Sequence, residues 1–299
     1  MSSPDLALPY VLITPARNEE AFIEKTIQSV IRQTVLPVKW VIVDDGSTDS
    51  TSRIVNQYLE RHAWIEMIEM PQNRERNFAK KVHCINAGYE RVKGVRYEVI
   101  GNVDADISFE EDYFEYLLSQ LTADTALGVV GTHFREKGYS SDIDTMSGQD
   151  YVTGACQVFR RKCFEDIGGY IPNKAGGIDW IAVTSARMIG WKTRSFSEKF
   201  FFHHRHAGTA QRGALVAAFL MGEKDYYLGG HPAWEIFRVF YRMAKQPYLF
   251  GGLMLGFGYA WALLRRIDRP VSDELMKFHR KEQLLKLKKI LRSLLNKRA

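Results

Sequence analysis

The sequence predicts an α/β fold built on a mostly parallel sheet with flanking helices. Two observations carry this. Strand-length apolar runs alternate with helix-period segments through the first 135 residues, the pattern of β-α-β units. Polar clusters then fall just behind the strands, at the carboxyl edge where open α/β sheets bind their ligands.

Taken in order, Tyr10 to Thr14 reads as the first strand, stopping at Pro15. Between Glu19 and Gln33 the apolar residues Phe22, Ile23, Ile27, Val30 and Ile31 recur at helical spacing and mark the first crossover helix. Val38 to Val43 is the second strand, followed by the turn Asp44-Asp45-Gly46-Ser47-Thr48-Asp49 and a helix from Ser50 to Arg61, with Asp49 or Ser50 as N-cap. Trp64 to Glu69 is a short third strand, Ala79 to Arg91 a third helix, and Glu98 to Val103 a fourth strand that ends on Asp104-Ala105-Asp106. In the second half, Leu127 to Phe134 and Tyr151 to Arg160 read as strands and Asp179 to Met188 as a helix.

The 299 residues, 45% hydrophobic and 25% charged, describe an ordinary globular chain and exclude a stapled mini-protein, a collagen or a disordered segment. A mean hydropathy of -0.25 does not suit a polytopic membrane protein. Three cysteines, Cys84, Cys156 and Cys163, form no C-x-x-C pair, so neither a disulfide framework nor a zinc knuckle is expected. The start carries Asp5, no basic n-region and an apolar stretch broken by Pro9, which argues against a secretory leader.

Charge is unevenly spread. Residues 265–299 hold 12 Lys/Arg and 4 Asp/Glu, a net +8, and since the whole chain is +6, residues 1–264 carry -2. A near-neutral body is not the footprint of a nucleic-acid enzyme, whose basic groups would line the groove itself, so nucleic acid is not an expected partner. Residues 246–264 contain no charge, a length marginal for crossing a bilayer, where about 20 apolar residues are needed. Leu284, Leu287, Leu291 and Leu294 among Lys286, Lys288, Lys289 and Arg292 form a basic amphipathic helix of the interfacial kind.

The strongest local chemistry is Asp104-Ala105-Asp106. Two carboxylates at i and i+2 in an extended turn can converge on one hard divalent cation and bridge it to a diphosphate. Asn18-Glu19 and Asp44-Asp45 follow the first two strands, where carboxylates accept hydrogen bonds from a ribose or a base N–H. The alternative for Asp45 to Asp49 is an Asx-type turn and helix cap. No G-x-G-x-x-G and no Walker A motif is present. Further on, His203-His204-Arg205 follows an aromatic run. Adjacent histidines on a strand point to opposite faces, so one of His203 and His204 can supply a metal ligand, and Arg205 can neutralise a diphosphate.

Thr14-Pro15-Ala16-Arg17-Asn18-Glu19-Glu20, Val41-Ile42-Val43-Asp44-Asp45-Gly46-Ser47-Thr48-Asp49, Asn86-Ala87-Gly88 and Asp104-Ala105-Asp106, in this order, closely resemble the successive motifs of family 2 glycosyltransferases. The resemblance covers roughly residues 10–210. It implies the GT-A fold, a nucleotide-diphospho-sugar donor and a Mg²⁺ or Mn²⁺ ion held by the D-x-D. It places Pro15, Ala16, Arg17, Asn18, Glu19, Asp44 and Asp45 in the donor pocket and gives Asp104, Ala105 and Asp106 to ribose and metal, with Arg205 added on the donor side. Lys80 and Lys81 stand near where the family has a basic or small residue, though a solvated helix face explains them equally well. The family's catalytic base is an Asp, usually within a Glu-Asp pair after a glycine-rich loop. The matching segment is Gly176-Gly177-Ile178-Asp179-Trp180, so Asp179 takes that role while Ile178 departs from the pattern. The Gln-x-x-Arg-Trp of processive synthases is missing, which points to a non-processive enzyme.

The expected organisation is a GT-A domain over 1–212, with a nucleotide-binding half at 1–107 and an acceptor half at 108–212. A helical, membrane-associating extension follows over 213–299. The expected reaction is inverting, metal-dependent transfer to a hydroxyl of a lipid-linked or saccharide acceptor, at an anionic membrane surface on the cytoplasmic face; the alternative is a cytoplasmic enzyme whose 246–264 helix is buried in its own core or in a dimer. Loop 138–149, rich in Ser, Asp and Gly, has the composition of a lid. The competing classes are a sugar nucleotidyltransferase and a non-catalytic scaffold of the same fold.

Overall fold

A computed structural model describes residues 8–71, 78–136, 139–141, 148–173, 176–205 and 213–296. The proposed lid, 138–149, falls largely outside them, as do 206–209 and the first seven residues. Two compact units are present, residues 1–205 and residues 206–299.

The first unit runs β1 (Tyr10–Ala16), α1 (Ile23–Ile31), β2 (Lys39–Asp44), α2 (Thr51–Leu59), β3 (Ile65–Glu69), α3 (Phe78–Val92), β4 (Val99–Val103), β5 (Ile107–Phe109), α4 (Tyr113–Ala123), β6 (Leu127–Glu136), β7 (Tyr139–Ser140), β8 (Cys156–Arg160), α5 (Arg161–Asp166), α6 (Ile178–Met188) and β9 (Lys192–His203). The strands form a nine-stranded sheet in the order β3-β2-β1-β4-β8-β6-β9-β5, with β7 on β6. β3, β2, β1 and β4 pair in parallel, as the β-α-β pattern requires. β8 enters antiparallel to both β4 and β6, and β6 and β9 pair in parallel, so the sheet is parallel at its nucleotide side and mixed beyond it.

Alternation along the strands builds two cores. Leu12, Trp40, Ile42 and Val99 face one way, onto Ile23, Ile27 and Val30 of α1, Val55 of α2 and Phe114, Leu117 and Leu121 of α4. Val11, Ile13, Val41, Val43 and Ile100 face the other way, onto Val82 and Ile85 of α3, Cys163 and Phe164 of α5, and Ile178 and Ala182 of α6. With both faces covered, the parallel strands read as continuous apolar runs. Gly88 explains one motif: a Cβ there would stand 2.6 Å from Ile13 Cγ2, so only glycine lets α3 lie this close to β1.

The structure shortens the strand expected over 151–160 to Cys156–Arg160. Ahead of it Gly154 runs so close to α6 that a Cβ would lie 2.7 Å from Asp179 Cβ. Apolar composition cannot reveal such a contact.

The second unit comprises α7 (Ala214–Tyr227), α8 (Pro232–Met243), α9 (Phe250–Leu264) and α10 (Asp273–Asn296). Among the described residues no helix is long and apolar enough to cross a membrane. Inside this unit Arg238 pairs with Asp225 and stands 3.7 Å from Glu235, whose other oxygen, Oε1, is buried without a hydrogen bond. Burial, reinforced by Asp225, pushes the Glu235 carboxyl from 4.5 up to about 8, against the pull of Arg238.

Between those two values the folded unit holds a proton that the unfolded chain has released, so its stability falls as pH rises from about 5 to 8. Amide exchange in α8, corrected for intrinsic rates, is expected to quicken across this window in the wild type and to flatten in Glu235→Gln.

Candidate active site

The loops after β1 and β2 are stitched together. Asn18, in the left-handed region at φ 54°, accepts from Thr48 N at 2.8 Å, and its own N–H donates to Ser47 Oγ at 2.9 Å. Glu19 N donates to Thr51 Oγ1 at 2.8 Å and Glu20 N to an Asp49 carboxylate oxygen at 3.1 Å. The two motifs therefore form one wall.

Within that wall the two adjacent aspartates have different tasks. Asp44 is buried; Oδ1 accepts from Ser47 N at 2.8 Å and Ser47 Oγ at 2.6 Å, and Oδ2 accepts from Ser52 Oγ. It holds the turn. Asp45 lines the cleft and pairs with Arg17 at 3.1 Å. The turn reading thus applies to Asp44, while Asp45 is left facing the cleft. Asp49 accepts from Thr51 N at 3.0 Å, giving the side-chain bond that Ser50, the residue at the N-cap position of α2, does not.

The D-x-D is held from behind. Thr26 of α1, fully buried, donates to the carbonyls of Ala105 at 2.8 Å and Ile107 at 2.7 Å, and Asp104 N donates to Ala155 O at 2.8 Å. Asp104 meets Lys81 of α3 at 2.5 Å. Burial alone would lower the Lys81 pKa, but Asp104, with Asp179 and Asp106, more than offsets it and the ammonium is held charged. Burial raises Asp104 while Lys81 opposes the rise. The sequence left Lys81 without a role; helix spacing was the available signal, because Lys81 and Cys84 at i and i+3 share the face that lines the cleft.

The two histidines divide as strand alternation requires. His203 Nε2 lies 3.6 Å from Asp106 Oδ1 and its Nδ1 3.1 Å from Glu136. His204 turns to Ser108 at 2.9 Å and stacks on Phe22. Arg205 bonds Glu19 at 2.5 Å, and its Nε stands 3.5 Å from Asp106. Burial and then Asp106 push the Glu19 carboxyl up to about 7, against the pull of Arg205. Sequence reasoning missed Thr26 and Glu136, and no motif marks either.

Together Pro15, Ala16, Arg17, Glu19, Asp45, Lys80, Lys81, Cys84, Asp104, Ala105 and Asp106 enclose an open cleft of about 230 Å³. Asn18, Asp44 and Asp179 do not line it. Asp179 sits in the first turn of α6 behind Gly177, with the Tyr151 hydroxyl 3.4 Å from Oδ2, and its charge acts on Lys81. Ile178 is buried in the core, which accounts for an apolar residue beside the acid.

Among the described residues no three His, Cys, Asp or Glu side chains are arranged to hold a metal ion by themselves. The donor set nevertheless fits a hard divalent cation. Among the described residues the side chain of Asp106 has only distant partners, Arg205 at 3.5 Å and His203 at 3.6 Å, so its oxygens retain lone pairs, and Asp104 lies two residues away.

The two aspartates are expected to fail differently. Asp44→Ala removes a buried acceptor and orphans the half-buried donors of Ser47 and Ser52, and should cost about 1–3 kcal/mol of stability, read by thermal unfolding. Asp45→Ala should leave stability nearly unchanged and weaken nucleotide binding, read by titration calorimetry.

Residues 11–148 match the family model described as Glycosyl transferase family 2. The chain is 21% identical over 207 residues to the poly-beta-1,6-N-acetyl-D-glucosamine synthase of Staphylococcus epidermidis, covering 63% of this chain and 46% of that protein. It is 25% identical over 202 residues to the glycosyltransferase GlyG of Streptococcus pneumoniae, covering 67% and 60%. The chain thus spans about half the length of these curated relatives. Among solved structures, the mannosyltransferase PcManGT of Pyrobaculum calidifontis, in complex with GDP-Man and Mn²⁺, superposes with a TM-score of 0.59 at 20% identity, covering 98% of this chain and 85% of that one. TarS of S. aureus, residues 1–349 with UDP-GlcNAc, gives 0.57 at 14% identity, covering 91% and 78%. Motifs and topology agree with these matches: residues 11–148 are similar to family 2 glycosyltransferases, and the chain shares the GT-A fold of its solved neighbours.

Proposed function

We propose that this domain transfers a glycosyl group, with inversion, from a nucleotide-diphospho-sugar to a hydroxyl of a saccharide or lipid-linked acceptor. The observation that carries the reading is the cleft at the carboxyl edge of the sheet, where Asp45, Asp104 and Asp106 line one wall with Arg17 and Lys81. An acid at the start of α6 acts on the same ammonium that pairs with Asp104. The donor complexes named for the neighbouring structures, GDP-Man and UDP-GlcNAc, support a nucleotide sugar here.

In this reading Asp45, Glu19 and Arg17 hold the nucleoside in the cleft. Lys81 and Arg205 exchange carboxylate partners for diphosphate oxygens, which cancels the desolvation cost of bringing an anion to an acidic sheet edge. Asp179 accepts the acceptor's O–H proton as that oxygen bonds to the anomeric carbon and the bond from the anomeric carbon to the β-phosphate oxygen breaks. The transition state is oxocarbenium-like and the nucleoside diphosphate departs from the opposite face. Asp106, with Asp104 two residues away, would hold Mg²⁺ or Mn²⁺ together with the donor's diphosphate oxygens. When bound, such an ion offsets the charge that builds on the leaving diphosphate. The Tyr151 hydroxyl orients Asp179.

Asp179→Asn should lower transfer by about 10²–10⁴-fold and keep nucleotide-induced thermal stabilisation. Wild-type turnover in that variant would place the base elsewhere. With UDP or GDP and Mn²⁺ at about 100 times the dissociation constant, stabilisation should reach roughly 2.7 kcal/mol. It should shrink on chelation and in Asp106→Ala; no shift with any nucleoside diphosphate defeats the reading.

A further inference from the structure

α9 packs inside out for a helix in water. Its inner face is Gly251, Gly252, Leu255, Gly258, Tyr259 and Ala262, mostly small. A Cβ on Gly258 would stand 2.0 Å from the Phe219 carbonyl oxygen of α7, one on Gly252 2.4 Å from the Val239 oxygen of α8, and one on Gly222 of α7 1.9 Å from the Leu255 oxygen. Three backbones therefore meet directly. The large side chains go outward at helical spacing: Phe250 is 65% exposed, Leu253 52%, Phe257 58%, Trp261 39% and Leu264 80%.

Water favours the reverse arrangement, because burying one such side chain is worth about 1.5–3 kcal/mol. Small residues between helices with large ones outside is the packing of helices whose surroundings are themselves apolar. Soluble monomers seldom expose a continuous patch of this kind. The 15 residues of α9 extend only about 22 Å, short of a hydrocarbon core of roughly 30 Å, so the helix does not span.

Cations bound the stripe at both ends. Lys245 lies 4.5 Å over the Tyr241 ring just before it, Arg265 lies 4.6 Å over the Trp261 ring at its end, and Arg266 follows. Between them, Gln246 to Leu264 has no charge, and residues 265–299 carry a net +8. Apolar centre and cationic ends match the acyl and headgroup layers of an anionic membrane.

We infer that the outer face of α9 docks, lying in the membrane plane, on an anionic phospholipid surface. Phe250, Leu253, Phe257, Trp261 and Leu264 enter the acyl boundary, and Lys245, Arg265 and Arg266 stay at headgroup level. Docking of this kind holds the chain where a lipid-linked acceptor resides. The inference stands on the second unit alone and is independent of the transfer chemistry.

The test is flotation of the full chain with vesicles of phosphatidylcholine containing about one-third phosphatidylglycerol, a fraction that sets a negative surface potential, and with pure phosphatidylcholine vesicles. Binding is expected to the anionic vesicles, much weaker binding to the neutral ones, and loss on adding salt. Phe257→Glu and Leu264→Glu should each lower the partition coefficient by roughly tenfold or more. Both substitutions sit on exposed positions, and unchanged nucleotide-induced stabilisation shows that each variant is folded and separates this result from the donor-site reading. Vesicle-induced blue shift of tryptophan emission should be lost in Trp261→Phe. The inference is overturned by absence of vesicle binding, by equal binding to neutral vesicles, or by stripe variants that bind like the wild type. It also fails if those variants instead convert a dimer to a monomer, which would make a second copy the occupant.

Discussion

Parallel pairing of β1 with β2 and β4 is the constraint on which the site depends. Ala16 lies opposite Asp44 and Ile13 opposite Asn102 in the ladder, so three strands end at one edge and deliver their loops together. Because β-α-β crossovers put helices over both faces, that edge is the part of the sheet left open to a ligand. Asn18, Ser47, Thr48 and Thr51 then convert two neighbouring loops into a single wall.

What that edge collects is charge of both signs. Glu19, Asp45, Asp104 and Asp106 face Arg17, Lys81 and Arg205, each acid within reach of a base. Such an arrangement is costly to build without partners and inexpensive to rearrange once an anion and a cation arrive together. The Glu19 carboxyl is raised by burial and then by Asp106, against the pull of Arg205. In the proposed reaction these ion pairs are the ones that would exchange partners with a charged donor. The second unit follows another logic. Glycine contacts at Gly222, Gly252 and Gly258 replace a core of large side chains, and the apolar bulk is turned outward.

Much of the fold was legible. Short continuous apolar runs gave β1, β2 and β4, because burial on both sheet faces leaves no polar alternation, and helix-period segments gave α1, α2 and α3. The D-x-D and the Asp44-Asp45 turn stood out because they fall directly behind strands, at the carboxyl edge of the sheet. Thr26 and Glu136 were not legible, since each acts across a gap of sequence, Thr26 through Ala105 and Glu136 through His203. The close approach of Gly154 to Asp179, a neighbour 25 residues away, was not legible for the same reason.

The sequence by itself determined the β-α-β order, the acids at the strand ends, the resemblance to family 2 glycosyltransferases and the neutral body with a basic tail. These are local or additive properties, readable from spacing and composition. Tertiary structure alone decided that Asp44 braces a turn while Asp45 lines the cleft, that His203 rather than His204 turns to Asp106, and that Lys81 joins Asp104 to the field of Asp179. It also decided which side of α9 is buried. Both sides of that helix are apolar, so its hydrophobic pattern selects neither, and only backbone contact at its glycines does.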